Sequence, residues 1–305
     1  MTRPARPPHA QREGALGAAC AFSAFFVWGA MPAYFKAVDH VLPSEVAAHR
    51  ILWSAALLAV LLIPFRRWPL VRAAFASRPL MLRLAASAIA LSGSWLVYIW
   101  AIANDRIVEA SLGYFINPLF NVLLGVLLLK EALRRWQWVA VGLAAAGVGV
   151  LVLQQGNIPW VALALPLTFG IYGLIRKVTA VDPMAGLLVE TLSVSPLALA
   201  WLAYLAAAGT IAFRHTGAAT DALLILTGAI TAGPLLLFIH GARRLPLSTL
   251  GFFQYIAPTA NLLLGVYAYG EPFTATHQAA FGLIWLALAI YTADAVRARP
   301  KRAAA

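Results

Sequence analysis

The chain has 305 residues, of which 62% are apolar and only 11% charged. A soluble domain carries about 25% charged residues, so this composition excludes an ordinary soluble fold and places the chain in a bilayer. The net charge of +12 does not signal nucleic acid, because the basic residues sit in short connections and tails between apolar runs. The single cysteine excludes an intrachain disulfide and a thiolate metal cluster, and no metal or cofactor is implied by the scattered histidines at 9, 40, 49, 215, 240 and 277.

Ten apolar stretches approach the length a spanning helix needs: about 14–36, 44–64, 80–103, 107–129, 136–153, 159–176, 185–208, 221–240, 247–269 and 277–296. Arg3, Arg6 and Arg12 precede the first, as in a signal peptide, but that run continues to Phe35, so we read an uncleaved first helix with Cys20 as a buried thiol. The second stretch sets Glu45, His49 and Trp53 at one-turn steps on one stripe and places Arg50 inside the span. The third carries Trp95 and Tyr98. The fourth presents Gly113, Asn117, Asn121 and Gly125 at steps of four, with Tyr114 and Pro118 alongside. The fifth is rich in Gly and Ala, which permits close helix contact either within the molecule or between two copies. Tyr172 lies in the sixth and Glu190 in the seventh. The ninth repeats the amide stripe as Gln254, Pro258, Asn261 and Gly265, with Tyr255 beside it.

The strongest pattern is a duplication. Pro118, Asn121, Gly125, Val126 and Glu131 recur 140 positions later as Pro258, Asn261, Gly265, Val266 and Glu271. Each copy follows a similar lead-in, Ser111-Leu112-Gly113-Tyr114-Phe115 and Thr249-Leu250-Gly251-Phe252-Phe253. Pro43 matches Pro183, Arg50 matches Glu190, Gly142 matches Gly282, and Trp28-Gly29 and Lys36 match Phe169-Gly170 and Lys177 with one extra residue. Five spans per half is an odd number, so the second half is predicted to be inverted. The expected fold is an all-α polytopic membrane protein of ten transmembrane helices in two inverted five-helix repeats. The expected boundaries are a tail over 1–13, repeats over 14–153 and 159–296, and a tail over 297–305.

Charge supports this layout. The tail, Arg66, Arg67, Arg72, Arg78, Arg83, Lys130, Arg134, Arg135, Arg176, Lys177, Arg243, Arg244 and the C-terminal Arg297, Arg299, Lys301 and Arg302 share one side; the alternate side holds Lys36, Arg106 and Arg214. The excess of basic residues marks the cytoplasmic face. Both termini are therefore expected in the cytoplasm, with the chain in a bacterial inner membrane.

The residues resemble the drug/metabolite transporter superfamily in its EamA-type branch, most closely the RarD permeases. Four stretches carry the resemblance: Trp28-Gly29 through Pro32-Ala33-Tyr34-Phe35-Lys36; Glu45 through His49-Arg50 to Trp53-Ser54; Glu109 through Asn117-Pro118; and Leu247 through Gln254-Tyr255-Ile256. It implies ten helices, cytoplasmic termini, a central cavity and small-molecule export. The name of the branch is associated with chloramphenicol sensitivity.

Amides on a lipid-facing surface cost several kcal/mol when unpaired, so both amide stripes are expected to face protein or a wet cavity. Pro118 and Pro258 lack an N–H and free the carbonyls of Tyr114 and Gln254, which should kink both helices. We read Asn117 and Gln254 as cavity-lining, because the two copies differ there. Pro118, Asn121, Gly125, Pro258, Asn261 and Gly265 are read as hinge or packing residues. Arg50 and Glu190 are functional candidates because intramembrane charge is costly. They are either partners across the pseudo-twofold axis or separate, and Arg50 could instead snorkel to the interface. Glu45 and His49 are a candidate proton-coupling pair, or Glu45 serves the positive end of its helix dipole. Trp28, Trp95, Tyr98, Tyr114, Tyr172 and Tyr255 are candidate walls for an aromatic or amphipathic solute.

The leading reading is a secondary exporter of small metabolites or drugs that alternates access around a central cavity. It needs a small-molecule substrate, a coupling proton or counter-substrate, and the lipid bilayer, and works as a monomer or homodimer. No phosphate-binding loop is present, so ATP does not drive it. A passive facilitator and, behind it, an intramembrane enzyme remain the competing readings; the latter would need clustered acid, base or metal groups.

Overall fold

The structure is a computed structural model that describes residues 8–64, 66–130, 133–242, 244–245 and 253–297. Arg3, Arg6, Glu131, Arg243, Arg299, Lys301, Arg302 and the lead-in from Leu247 to Phe252 lie outside the described residues, as does the environment of Gly125.

The described residues form eleven α-helices: α1 Pro8–Lys36, α2 Pro43–Leu62, α3 Trp68–Ala76, α4 Arg78–Ala103, α5 Ile107–Leu129, α6 Arg135–Gln155, α7 Trp160–Lys177, α8 Pro183–Ala207, α9 Ala218–Ala242, α10 Ile256–Leu263 and α11 Ala275–Arg297. A π-turn over Leu264–Ala268 extends α10. Among the described residues, seven segments are long and apolar enough to cross a membrane: Glu13–Lys36, Pro43–Leu62, Arg78–Ala103, Ile107–Leu128, Arg135–Gln154, Pro183–Ala207 and Ala218–Gly241. The protein is thus an all-helical, multi-pass membrane protein.

Three of the ten expected spans fall outside that set. Helix α7 has only 18 residues and ends in Arg176 and Lys177. Helix α11 includes Thr276, His277, Gln278, Thr292 and Asp294, which dilute its hydropathy. The run over 247–269 is described only from Phe253, and there the helix is interrupted at Gln254 and Tyr255 and resumes at Ile256. Pro258 consequently sits in a first turn, where a missing N–H removes no helix bond. Pro118, by contrast, lies inside continuous α5. The sequence reading also missed α3. Trp68-Pro69 starts it, and Val71 and Ala74 are buried in a cluster with residues of α2, α4 and α8.

Large apolar side chains face outward around the molecule, including Leu153, Tyr267, Leu197 and Ile89. Such exposure suits hydrocarbon and would be a liability in water. Inside, the helices pair in a particular pattern. Helix α1 packs on α9 and α10, and α7 packs on α4 and α5. Helix α2 packs on α8 and α9, while α8 also packs on α4. Helices α5 and α10 meet, as do α6 and α11.

Glycines set several close approaches, two of them at matching places in the pairing. A Cβ on Gly29 would lie 2.6 Å from the Ala260 Cβ, so α1 meets α10 nearly backbone to side chain. A Cβ on Gly170 would lie 2.8 Å from a Leu124 methyl and 3.2 Å from the Asn121 side-chain oxygen, so α7 meets α5 in the same manner. Only glycine permits such contacts without moving a neighbour.

Candidate functional site

Arg50 is the centre of the most unusual environment. It projects from α2, whose start at Pro43 suits the first helical position. Its side chain is buried, at 5% exposure, and lies 4.4 Å from the Trp95 ring centroid and 5.6 Å from that of Phe35. Tyr34, Tyr98 and Tyr114 are the titratable groups close enough to feel its charge. Tyr98 meets Tyr114 edge-on at 5.4 Å and Phe35 at 6.1 Å. The shell is thus drawn from α1, α2, α4 and α5. On α4, Trp95 and Tyr98 are one turn apart and share a face. Nε and Nη1 of Arg50 are buried and have no hydrogen-bond partner among the described residues.

The energetics make this notable. An arginine at mid-membrane costs about 2.5–3.5 kcal/mol on insertion scales. A desolvated cation–π contact returns about 2 kcal/mol, so two rings can hold the charge in place while leaving its N–H donors unpaired. Arg50 does not snorkel, because its guanidinium lies among buried rings rather than at an interface.

Asn261 ties this shell to α10, its Nδ2 donating to the Tyr98 hydroxyl across 3.1 Å. The residue is buried and bridges helices, the geometry expected of a packing amide. Ser111 of α5 also donates to the Pro258 carbonyl at 2.7 Å, so α5 and α10 are hydrogen-bonded beside the same shell. Gly265, in the π-turn, packs tightly on Ile107 and Val108. Asn117 is half-buried, and its Oδ1 has no donor among the described residues. Asn121 is exposed on α5, which the stripe did not anticipate.

Glu190 is held by partners other than Arg50. It is buried on α8, accepts from Ser87 of α4 at 2.6 Å, and lies 3.5 Å from Nη1 of Arg176. Arg176 crosses from the end of α7 over Gly186, whose missing side chain makes room for the guanidinium. Glu190 Oε2 has no further partner among the described residues. Tyr172 is close to both charges and packs with Phe169 at 5.7 Å. The sequence reading had counted Arg176 only as an orientation marker. The repeat aligns Lys36 with Lys177 rather than with its neighbour Arg176, so no signal in the sequence singles Arg176 out.

Trp28 borders the buried cluster that holds Phe35 and Tyr98. Trp28 packs on Phe25 at 5.1 Å and Phe238 at 5.8 Å. Tyr255 stacks with Phe115 at 6.4 Å, and Gln254 is exposed in the turn before α10.

Glu45 is fully buried, and its carboxylate accepts from the backbone of Ala212 at 3.0 Å and of Phe213 at 2.9 Å. It therefore holds the α8–α9 connection rather than only its own helix dipole. His49 accepts from Trp53 Nε1 through Nδ1 at 3.1 Å, and its Nε2 lies 3.9 Å from Glu45. Two further carboxylates work like Glu45. Glu271 accepts from Ile107 and Val108 at 2.6 and 2.7 Å, and Glu109 accepts from Val161 at 2.9 Å. These cap the starts of α5 and α7 from outside the helix. Burial pushes the Glu271 carboxyl above its usual range, against the pull of its two backbone donors.

Comparison with known proteins agrees with this architecture. The EamA-like transporter family matches residues 15–153. The chain is 44% identical to Protein RarD of Salmonella typhi, covering 94% of this chain and 97% of the relative. It is 43% identical to the uncharacterized transporter YojE of Bacillus subtilis over 90% and 92%. It is 31% identical to the chloramphenicol-sensitive protein RarD of Pseudomonas aeruginosa over 94% and 97%. A solved crystal structure shares the fold, with a TM-score of 0.59 at 21% identity, covering 92% of this chain and 98% of that one. A buried charge in an aromatic shell, a multi-pass helical fold and full-length similarity to transporters place this chain in the RarD family of EamA-type drug/metabolite transporters.

Proposed function

We propose that the protein is a secondary permease that exports small metabolites or drugs by alternating access between two inverted five-helix halves. The observation that carries this reading is the helix pairing. Exchange α1 with α7, α2 with α8, α4 with α9, α5 with α10 and α6 with α11. The contacts α1–α9 and α7–α4 then interchange, as do α1–α10 and α7–α5, and α2–α9 and α8–α4. The contacts α2–α8, α5–α10 and α6–α11 map onto themselves. Gly29 and Gly170, which open the α1–α10 and α7–α5 contacts, occupy matching places. Such exchange symmetry is what an inverted repeat supplies to a rocking carrier. On this reading α3 is peripheral, α7, α10 and α11 complete ten spans, and both termini lie in the cytoplasm of a bacterial inner membrane. Lys130, Arg134 and Arg135 then face inward and Glu271 outward, as the charge rule asks.

The substrate path runs past the Arg50 shell, with Asn117 and Gln254 on its walls. The test is release from proteoliposomes loaded with a bacterial metabolite extract, read by mass spectrometry. A carrier gives saturable loss of particular solutes that external solute accelerates. Linear loss without acceleration would favour a passive facilitator, and loss equal to that of empty-protein vesicles would contradict transport altogether.

A further inference from the structure

We infer that the Arg50 shell is an oxyanion site, and that the transported class is a small organic anion with a flat apolar or aromatic body. The inference deepens the transporter reading and rests on it for the word transported; binding at the site stands independently. Four observations carry it. Arg50 is 95% removed from solvent by its 5% exposure, and two of its nitrogens lack an acceptor among the described residues. The described titratable groups within reach of its charge are Tyr34, Tyr98 and Tyr114, all neutral at physiological pH. The carboxylate that the repeat offered as a counterion, Glu190, is held by Ser87 and Arg176, and Glu45, on the same helix as Arg50, is held by the backbone of Ala212 and Phe213. The rings of Trp95 and Phe35 lie within 4.4 and 5.6 Å of the guanidinium carbon.

A guanidinium is the side chain suited to carboxylate and phosphate, because its planar donors match two oxygens at once. Held in low dielectric without a counterion among the described residues, it gains far more from an arriving anion than a solvated arginine would. The aromatic faces around it offer area to a planar body. A neutral amide of the same shape would bring one carbonyl oxygen and no charge. A cationic amine would meet the like charge of Arg50. The site therefore selects by sign first and by shape second.

An oxyanion could also arrive on a lipid headgroup. The burial of Arg50 among side chains of α1, α4 and α5 argues for a solute that enters the protein.

The experiment is a thermal-shift titration of the purified full-length protein in a neutral detergent. The probes are 3-phenylpropionate, its amide, phenethylammonium, phenyl phosphate and dihexanoylphosphatidylglycerol. The expected result is saturable stabilisation by 3-phenylpropionate or phenyl phosphate, and none by the amide or the amine. Arg50→Gln should weaken that binding about 10–100-fold, the loss of a charge-assisted pair, and Arg50→Lys should retain part of it. Should Arg50→Gln fail to fold, Trp95→Leu provides the second variant, with formate added as a probe, and should weaken the aromatic anion more than formate. Equal stabilisation by the amide, unchanged affinity in Arg50→Gln, or no response to any small anion at millimolar concentration would overturn the site. A response to the lipid alone would assign the guanidinium to lipid and also overturn it. Mediated flux of neutral solutes, insensitive to Arg50→Gln, would remove the anion and keep the transporter. Anion binding with no mediated flux would do the reverse.

Discussion

Substitution of Glu45 separates a structural carboxylate from a proton-coupling one. In Glu45→Ala the backbone N–H groups of Ala212 and Phe213 lose their shared acceptor. Ala212 is buried at 8% exposure, whereas Phe213 is half-buried and can recover a bond to water. A buried donor left unsatisfied costs about 1–3 kcal/mol, so the connection should lose about 2 kcal/mol in all. That corresponds to roughly 30-fold more frequent local opening. Hydrogen exchange read by mass spectrometry on peptides covering 209–216 measures it directly. Glu45→Gln keeps one carbonyl oxygen for Ala212 and should open less than tenfold faster. Transport by Glu45→Gln should keep its wild-type response to pH. Unchanged exchange in Glu45→Ala would refute the bracing role. Intact exchange protection combined with loss of pH-gradient coupling in Glu45→Gln would return Glu45 to proton transfer with His49.

Other outcomes follow from the same geometry. Arg176→Gln strands a buried Glu190 and should destabilise by about 3–5 kcal/mol, with the double variant Arg176→Gln/Glu190→Gln recovering much of the loss; a double variant as unstable as the single would show that the pair is not coupled. Gly29→Ala must push Ala260 away from a 2.6 Å contact and should lower the melting temperature, whereas Gly142→Ala meets nothing within 4 Å and should leave it level or raise it by the helix propensity of alanine. The same sign for both would undo the close-approach argument. The folded-state pKa of Glu271 is raised by burial, so its ionisation-linked contribution is complete below the ordinary carboxylate range and is lost as pH rises through the folded value. The melting-temperature advantage of wild type over Glu271→Gln should therefore shrink from about pH 4.5 upward; an advantage that grows with pH would contradict the direction.

The sequence was most legible where a long-range chemical cost was at stake. An arginine within an apolar run has few stable solutions, which is why Arg50 stood out, and the aromatic candidates Trp95, Tyr98 and Tyr114 do gather beside it. Its separation from Glu190 was not legible. Depth along two helices says nothing of a third, and Arg176 reaches Glu190 from the end of α7 with a long side chain over a glycine. The start of α10 was hidden for a similar reason: hydropathy is continuous through 247–269, so it carries no mark of the helix beginning at Ile256 or of the π-turn at Leu264–Ala268. The bracing roles of Glu45, Glu109 and Glu271 depend on backbone donors more than 50 residues away, from Glu109 to Val161 at the nearest. Sequence periodicity, which compares neighbours within a few turns, cannot find such partners. Asn121 is exposed although the stripe places it with Asn117, since a stripe at steps of four drifts around the helix; its side-chain oxygen still lies against Gly170 of α7.

The central claim is that one interior site opens alternately to the two sides of the membrane. The most direct test places a single cysteine at Tyr114, in a Cys20→Ser background, and probes it in sealed vesicles of both orientations with a membrane-impermeant thiol reagent. A carrier predicts labelling of the same cysteine from either side, with a saturating transported solute or probe anion slowing both. Labelling confined to one side under every condition would contradict alternating access.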